Sequence, residues 1–282
     1  MALRSTKELL LDAQKNGYAV CAFNAENMEM CMAIIKTAER LSAPVIIQTT
    51  PSTLGYAEPE IFAAMVKAMA RECKTPVALH LDHGNSYELA LRCADAGYSS
   101  VMIDGSKLPF DENVCLAKRV VAHCGAAGIP VEAELGTVGG KEDSLHCDGP
   151  VYTEPADAAR FVEQTGIDAL AVAIGTAHGI YKGTPHLDLE RLSEIRKVVQ
   201  IPLVLHGTSG VPAETVRECI RRGICKVNYA TDLRIAYTDG IREYLQQNPG
   251  AFDPKKHGAA GMEKVCACVE SRILLCGSAQ KA

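Results

Sequence analysis

Three histidines in this sequence follow predicted strands and could share one metal ion. His83, His178 and His206 each stand directly after an apolar segment that is expected to form a buried strand. Three neutral imidazoles that leave a fourth position open are typical of a catalytic zinc site. Taken singly, each histidine is more often structural, and their long spacing carries no local signature. The prediction therefore depends on a fold that brings the three strand ends together.

Carboxylates stand at the same strand ends. Asp82 is adjacent to one of these histidines, where it could bind the metal, transfer a proton to or from a substrate hydroxyl, or merely cap the following helix. Asp104, Glu132 and Glu134 end two further strands, and the two glutamates share a face because side chains alternate along a strand. Structural ion pairing is the alternative for these three residues. His80 shares the face of Asp82, and we expect it to pack or to lie behind the metal ligands.

Two turns after the last two predicted strands suit a phosphate group. The run Gly207-Thr208-Ser209-Gly210 offers backbone N–H groups and hydroxyls. The run Asn228-Tyr229-Ala230-Thr231 opens the next helix, and the positive end of a helix dipole favours an anion. In an eight-stranded α/β barrel, the loops after strands seven and eight are the usual phosphate site. These turns therefore predict a phosphorylated small molecule as the ligand.

A long segment, residues 136–153, separates the fifth predicted strand from its helix. Long loops in compact domains are often lids, and Gly139 and Gly140 could let this one hinge. Glu142 or Asp143 would then be carried onto the substrate, and a plain solvated loop is the alternative.

Glycines and prolines that recur at the ends of predicted helices and the starts of predicted strands indicate the fold that would bring these residues together. Glycines such as Gly97 end helices and prolines such as Pro44 open strands, with amphipathic helical segments between them. Eight strands are predicted, at about residues 19–23, 45–49, 77–82, 100–104, 130–135, 168–174, 202–206 and 225–228. Each is followed by a helix, which predicts an α/β protein with one (β/α)8 TIM barrel domain over residues 1–282. The helical extension after His257 would pack on the barrel or on a neighbouring subunit. A doubly wound open sheet is the alternative.

The bulk composition excludes several classes of protein. The 282 residues are 48% hydrophobic and 22% charged, which suits a large core. The formal net charge is −5 without a concentrated basic run, so no nucleic-acid partner is expected. No segment has the uninterrupted apolar length of a membrane span, and residues 1–17 read as a charged helix rather than a signal peptide. The twelve cysteines include no C-x-x-C pair, so we expect reduced thiols in a cytoplasmic protein.

Together these motifs resemble a known family along essentially the full length of the chain, the class II, zinc-dependent ketose-bisphosphate aldolases. The strings that carry the resemblance are specific in combination. They are Ala22-Phe23-Asn24, His80 to Gly84, Met102 to Ser106, Val131 to Gly136, Gly139-Gly140, Ala173 to Gly179, His206 to Gly210 and Asn228 to Thr231.

The resemblance implies a metal site and its ligands. One zinc ion per chain would be held by His83, His178 and His206. Asp104 and Glu134 match positions that hold or release the metal in alternative arrangements. A monovalent cation, Na⁺ or K⁺, is also implied near the phosphate loops.

The resemblance further implies catalytic and substrate-binding residues. Asp82 would be the proton donor to the C4 oxygen, and Glu142 would be the base on the mobile loop. The phosphate of dihydroxyacetone phosphate would be bound by Gly179, Gly207, Thr208, Ser209, Asn228, Tyr229, Ala230 and Thr231.

Within the family, the strings around His178 and Asn228 look most like the tagatose-bisphosphate branch. Gly84-Asn85-Ser86 looks more like fructose-type members, and Thr208 replaces a smaller residue. The residue that binds the distal phosphate has no secure match, and Arg272 is the candidate. The implied reaction is reversible cleavage of a ketose 1,6-bisphosphate to dihydroxyacetone phosphate and glyceraldehyde 3-phosphate, with fructose 1,6-bisphosphate as the alternative substrate.

Other functions stay open from the sequence. A Schiff-base aldolase would use a lysine, and Lys226 and Lys182 are the nearest to the strand ends. A metal-dependent sugar-phosphate epimerase is a second rival, and a non-catalytic scaffold subunit of an aldolase complex is a third. A homodimer or homotetramer is expected by resemblance, with a non-catalytic partner subunit in some relatives.

Overall fold

Helices and strands alternate along the chain. The structure is a computed structural model that describes residues 3–142, 145–147, 151–181 and 183–282, without the side chains of residues 141–142 and 145–147. The elements in order are α1 (Thr6–Asn16), β1 (Val20–Asn24), α2 (Met28–Arg40), β2 (Val45–Thr49), α3 (Pro51–Tyr56), α4 (Pro59–Glu72), β3 (Val77–Gly84), α5 (Tyr87–Ala96), β4 (Ser100–Ile103), α6 (Phe110–Ala126), β5 (Val131–Leu135), β6 (Gly139–Glu142), β7 (Leu145–Cys147), α7 (Pro155–Thr165), β8 (Ala169–Val172), β9 (Ala177–His178), α8 (Leu189–Val198), β10 (Leu203–Leu205), α9 (Ala213–Arg221), β11 (Ile224–Tyr229), α10 (Thr231–Gln247) and α11 (Pro254–Leu275).

Eight of these strands close into a barrel. Their order around it is β1, β11, β10, β8, β5, β4, β3 and β2, and every neighbouring pair is parallel. Parallel neighbours need a crossover connection, which explains why at least one helix follows each barrel strand. The predicted (β/α)8 barrel is confirmed. The open-sheet alternative is wrong, because β1 pairs with β11 and leaves no sheet edge.

Inward-facing side chains change from apolar to polar along the barrel strands. Val20 and Ala78 lie in a buried cluster near the amino ends of β1 and β3, where α1 contributes Leu10. Because one face of a strand repeats every second residue, the face of Ala78 next presents His80 and then Asp82. Helix α1 therefore covers the apolar end of the barrel, and the polar positions gather at the carboxyl end.

The outward faces of the strands pack against amphipathic helices. The larger buried cluster includes Ile47 and Leu79 from strands, together with Ile34 of α2 and Phe161 of α7. The described cysteines are all free thiols, and most are buried, as expected for small hydrophobic side chains.

Residues 136–153 contain more regular structure than the predicted loop. Strand β6 pairs antiparallel with β7 and parallel with β9, and Thr137 bridges to Val151. Gly140 lies opposite His178 with φ +86°, and a Cβ there would lie 2.3 Å from the His178 carbonyl oxygen. The expectation of a plain loop is corrected for the described part of this segment, and β6 is tied to the strand that carries His178.

The C-terminal extension packs on the outer helices as α11. It contacts α10 and α2 and buries Val265, Val269 and Ile273. The contact with α10 is close, since a Cβ on Gly240 would lie 2.4 Å from the Ala260 carbonyl oxygen. At 22 residues α11 is a long helix, yet within the described ranges no helix is both long and apolar enough to cross a membrane.

We expect Gly240→Ala to lower the free energy of unfolding by about 1–3 kcal/mol, because the added methyl group must push α10 away from α11. Urea unfolding followed by circular dichroism would measure the change. Gly125→Ala is the matched control, because Gly125 lies in α6 with open space at its Cβ position. That substitution should raise stability by about 0.5–1 kcal/mol. Equal effects of the two substitutions would contradict close packing as the cause.

Candidate metal centre and active site

A β-bulge at the end of β3 sets the directions of Asp82 and His83. The pairing of β3 with β4 shifts between Leu81 and Gly84, so two residues of β3 lie opposite one residue of β4. His83 has a φ of 48°, a left-handed conformation that is uncommon outside glycine. A Cβ on Gly84 would lie 2.4 Å from the Met102 carbonyl oxygen, so the close approach of the strands requires glycine there. Backbone strain of this kind is kept only where the surrounding structure holds the residue in place, and such strained residues are common at functional sites.

The three predicted histidines converge at the carboxyl end of the barrel. Ligand atoms of His83, His178 and His206 lie within 4.8 Å of one another. The ring centroid of His83 is 5.0 Å from that of His178 and 4.7 Å from that of His206. In a tetrahedral site with Zn–N bonds of about 2.0–2.1 Å, the nitrogens are about 3.3 Å apart. The spacing of the three rings therefore suits one zinc-sized ion.

In two of these histidines, the ring nitrogen that points away from the other histidine lies within hydrogen-bond distance of a carboxylate. His83 Nδ1 lies 2.8 Å from Asp104 Oδ2, and His206 Nε2 lies 2.9 Å from Glu132 Oε1. An ionised carboxylate only accepts hydrogen bonds, so each of these nitrogens is the N–H of its ring and the other nitrogen keeps a lone pair. When both rings are neutral, His83 Nε2 and His206 Nδ1 therefore face each other as lone pairs, 3.0 Å apart. A cation between them would stabilise this arrangement, so the donor set fits a metal ion.

Charged neighbours shift the pKa values of these groups. Burial raises the pKa of Asp104, but its hydrogen bond and charge attraction to His83, together with hydrogen bonds from Ser106, outweigh burial and hold the pKa well below its usual range. Burial also raises the pKa of Glu132, but Lys226 and His206 outweigh it and again leave the pKa well below normal. For His206, burial lowers the pKa, but the nearby carboxylates of Glu132 and Glu134 outweigh burial and raise the pKa to about 9. The site thus attracts positive charge, whether a proton or a metal ion.

A second group of possible ligands overlaps the first. Donor atoms of His83, Asp104 and Glu134 also lie within 4.8 Å of one another. Glu134 Oε2 lies 3.3 Å from His206 Nδ1, and among the described residues this buried oxygen has no hydrogen-bond partner. Buried polar atoms are normally satisfied, so the oxygen is placed as a ligand would be. This is the pair of carboxylates that the sequence predicts for an alternative metal position.

Lys226 lies inside the barrel behind these histidines. It is fully buried, and its Nζ donates to Glu132 Oε2 at 2.8 Å and to Oε1 at 3.1 Å. His80 Nε2 lies 3.6 Å from the same carboxylate, and its Nδ1 bonds to Ser100. His80 is thus packed behind the metal ligands, as expected. An ion-paired ammonium is not a nucleophile, so the contacts of Lys226 do not favour the Schiff-base alternative.

Asp82 is held between two amide side chains. Asn24 Nδ2 donates to its Oδ2 at 2.8 Å, and Asn228 Nδ2 donates to its Oδ1 at 3.1 Å. Gln48 Nε2 donates in turn to Asn24 Oδ1 at 2.8 Å. The amides fix the carboxylate, and each oxygen keeps a lone pair that can take a proton. Ser86 rather than Asp82 caps helix α5, so the capping alternative is wrong.

A pocket beside His178 brings the two predicted phosphate turns together. It is lined by Asn24, His178, Gly179, Gly207, Thr208, Ser209, Asn228, Ala230, Thr231 and Arg234. Gly207 has φ +64°, and a Cβ there would lie 2.7 Å from the Ala177 carbonyl oxygen. Tyr229 is the exception among the predicted residues, because its buried ring stacks on Phe23 with centroids 5.9 Å apart. Its side chain belongs to the core rather than to the pocket.

Arg234 is a pocket residue that the sequence analysis missed. It follows Thr231 by three positions on α10, which places both on one side of the first helical turns. Its Nε donates to Glu26 Oε1 at 2.6 Å. A guanidinium at a pocket wall suits a phosphate group. Arg272, the candidate for the distal phosphate, instead donates to Asp232 Oδ2 at 2.7 Å.

Tyr181 joins the two loops that flank the pocket, and the sequence carried no motif for it. The Ala177 N–H donates to the Tyr181 hydroxyl at 2.7 Å, and that hydroxyl donates to the Gly207 carbonyl oxygen at 2.7 Å. The loop of His178 is thereby tied to the loop that follows β10. The side chain of Glu142 and all of Asp143 and Lys182 lie outside the described residues.

The closed barrel and the three converging histidines define an α/β-barrel protein with a candidate metal centre at the carboxyl ends of its strands. A family model for class II fructose-bisphosphate aldolases matches residues 4–281 of the chain. The chain belongs to this family, whose members are metal-dependent carbon–carbon lyases acting on sugar phosphates.

Solved structures agree with this membership. The YdjI aldolase from Escherichia coli K12 is 37% identical, with a TM-score of 0.89 over 100% of both chains. A protein from Coccidioides immitis, described provisionally as a fructose-1,6-biphosphate aldolase, is 32% identical, with a TM-score of 0.90 over 97% of this chain and 96% of that one. A fructose-bisphosphate aldolase from Campylobacter jejuni is 25% identical, with a TM-score of 0.85 over 100% of this chain and 97% of that one.

We expect His83→Ala, His178→Ala and His206→Ala each to abolish stoichiometric binding of one divalent metal ion per chain, because a nitrogen of each ring borders the same point. Equilibrium dialysis against Zn²⁺ with elemental analysis would measure it. His123→Ala is the control, because His123 is 42% exposed and pairs only loosely with Asp95, at 3.9 Å. A triple-alanine variant that still binds one tight equivalent would place the metal elsewhere.

Proposed function

We propose that this enzyme catalyses reversible aldol cleavage of a ketose 1,6-bisphosphate, with tagatose 1,6-bisphosphate as the favoured substrate. The products would be dihydroxyacetone phosphate and glyceraldehyde 3-phosphate. The observation that carries the proposal is the convergence of three imidazoles, one of them adjacent to Asp82 in sequence, beside a pocket lined by the turns that are predicted to bind phosphate.

The proposed cofactor is one Zn²⁺ ion per chain, held by His83, His178 and His206. An all-nitrogen set of three neutral imidazoles suits zinc better than magnesium or calcium, which prefer oxygen ligands. When bound, zinc would supply a Lewis acid that withdraws electron density from the ketone group of the substrate. Asp104 and Glu134 would offer the alternative position described above.

Asp82 would be the proton-transfer group at C4. In cleavage its carboxylate takes the proton of the C4 hydroxyl, and the C4–O bond becomes the aldehyde carbonyl. The electron pair of the broken C3–C4 bond passes to C3 and the C2 ketone as an enolate, which Glu142 would protonate at C3. In synthesis the same carboxyl group returns the proton to the C4 oxygen. Asn24 and Asn228 would keep the carboxylate pointed at this oxygen, since each donates to one of its oxygens.

Two other groups complete the proposed machinery. Glu142, the loop carboxylate that the resemblance implies as the base, would exchange the carbon-bound proton of dihydroxyacetone phosphate. The pairing of its strand β6 with the strand of His178 supports this role. The phosphate would be held by the lining residues Gly179, Gly207, Thr208, Ser209, Asn228, Ala230 and Thr231. Helix α10 begins at Thr231, so its positive dipole end faces the same pocket.

The resemblance also supports a wider assembly. A Na⁺ or K⁺ ion is proposed near the phosphate loops, and a homodimer or homotetramer is proposed as the oligomer. A non-catalytic scaffold role is the weaker candidate, because all the histidines and carboxylates of the described site are in place. Fructose 1,6-bisphosphate is the second candidate substrate, supported by the descriptions of two similar structures.

We expect Asp82→Ala to keep zinc binding but to lower kcat by about 10²–10⁴, because only the proton-transfer group at C4 is removed. Metal content and steady-state cleavage rates would be measured on the same preparation. Asp95→Ala is the control, as its side chain is 77% exposed on α5. A fully active Asp82→Ala enzyme would refute the assigned role.

We expect kcat/KM to be at least tenfold higher for tagatose 1,6-bisphosphate than for fructose 1,6-bisphosphate. The two sugars differ only in the C4 configuration, so one of them directs its C4 hydroxyl away from the fixed Asp82 carboxylate. Coupled assays of triose-phosphate release from both sugars would measure the ratio. A preference for fructose bisphosphate would overturn the substrate assignment but leave the aldolase reaction intact.

A further inference from the structure

A buried charge pair lies directly behind the candidate metal ligand His206. Glu132 of β5 is 4% exposed and Lys226 of β11 is fully buried. The carboxylate reaches both groups, since its Oε1 lies 2.9 Å from His206 Nε2 and 3.1 Å from Lys226 Nζ. Its Oε2 accepts from Lys226 Nζ at 2.8 Å. Among the described residues, this lysine makes no contact with the phosphate pocket, so the proposed chemistry has not used it.

We propose that Lys226 is a positioning residue for the metal site, acting through Glu132 on the tautomer of His206. This inference rests on the proposed function only in that His206 binds a metal ion. Lys226 would hold the Glu132 side chain in place, with its Oε1 aimed at His206 Nε2. That acceptor keeps the ring proton on Nε2 and leaves the Nδ1 lone pair facing His83 Nε2, 3.0 Å away.

The ion pair is needed because both partners are buried. A carboxylate in the barrel interior is costly without a counter-charge, and an unpaired one would turn toward another donor or draw in water. The bidentate contact of Lys226 also restricts rotation of the carboxylate, since it engages both oxygens. His80 lies too far for the same task, at 3.6 Å.

A purely structural ion pair is the competing explanation, and the two make different predictions for metal binding. A structural pair would change the stability of the metal-free protein only. A positioning pair changes zinc affinity and the ligand field of a bound ion, even where the protein remains folded.

The test uses Lys226→Met, Glu132→Gln and the double variant that combines them. Zinc affinity is measured by competition with a chromophoric chelator, and visible absorption of the Co²⁺-substituted protein reports the ligand field. Thermal unfolding of the metal-free proteins is recorded beside both. Tyr98→Phe is the control, because it removes a buried hydrogen bond to Thr49 that does not touch the histidines.

We expect Lys226→Met to weaken zinc binding by about 10–100-fold and to alter the Co²⁺ spectrum. Glu132→Gln should be impaired in a specific way, since Lys226 will capture the amide oxygen and turn the amide N–H₂ toward His206 Nε2. That contact selects the tautomer with the proton on Nδ1, where it opposes the metal. In the double variant no lysine competes, so the amide oxygen can face His206 again. The double variant should therefore bind zinc more tightly than Glu132→Gln, and Tyr98→Phe should bind like wild type.

The inference is overturned if Lys226→Met binds zinc with wild-type affinity and an unchanged Co²⁺ spectrum while only its unfolding temperature falls. If Lys226→Met does not fold, equal zinc affinities of Glu132→Gln and the double variant overturn it instead. Wild-type protein that binds no zinc would contradict the proposed function itself, which separates the two failures.

Discussion

His83 Nε2 and His206 Nδ1 lie 3.0 Å apart, and each ring is held from behind by a carboxylate. When both rings are neutral, this opposition of two lone pairs is the constraint on which the carboxyl end of the barrel depends. It requires the bulge in β3 and the left-handed backbone of His83, which aim one ring at the other. It also requires Asp104 and Glu132 to be ionised, a condition that their lowered pKa values satisfy. A cation bound between the two rings would remove the repulsion between their lone pairs and would offset the cost of the strained backbone at His83.

The barrel has an apolar end and an end that buries charged groups, and this division sets the electrostatic environment of the histidines. Apolar side chains fill its amino end beneath α1, while its carboxyl end buries a lysine, two glutamates and several histidines. Burying such groups is costly unless each is paired, and here the pairs run across the barrel, as from Lys226 on β11 to Glu132 on β5. Strands that are far apart in sequence therefore stabilise one another through charge as well as through backbone hydrogen bonds.

The loops around the pocket are joined to the histidine cluster by hydrogen bonds. Tyr181 links the loop of His178 to Gly207, and β6 pairs with the strand that carries His178. The pocket beside His178, the histidines and the segment that leads to Glu142 are thus joined in one framework. Placing a phosphate at one side of the framework would position the rest of a sugar over Asp82, which is the geometric basis of the proposed cleavage.

The order of the eight barrel strands and of the helices between them was predicted from the sequence alone, because apolar runs, glycine stops and proline starts are local signals. The short strands β6, β7 and β9 were not predicted. The three histidines and Asp82 were also predictable, since they stand at strand ends and a barrel brings strand ends together.

The pairing partners were not predictable. The contact between Lys226 and Glu132 spans 94 positions, and nothing local to either residue indicates the other. The same holds for Arg234 at the pocket, for Tyr181 between the loops and for Tyr229, whose motif suggested the pocket but whose ring lies in the core. Short-range periodicity in the sequence determines which residues lie at the carboxyl ends of the barrel strands. Only barrel closure, with its register shifts and its demand that each buried charge find a partner, decided which side chains meet there.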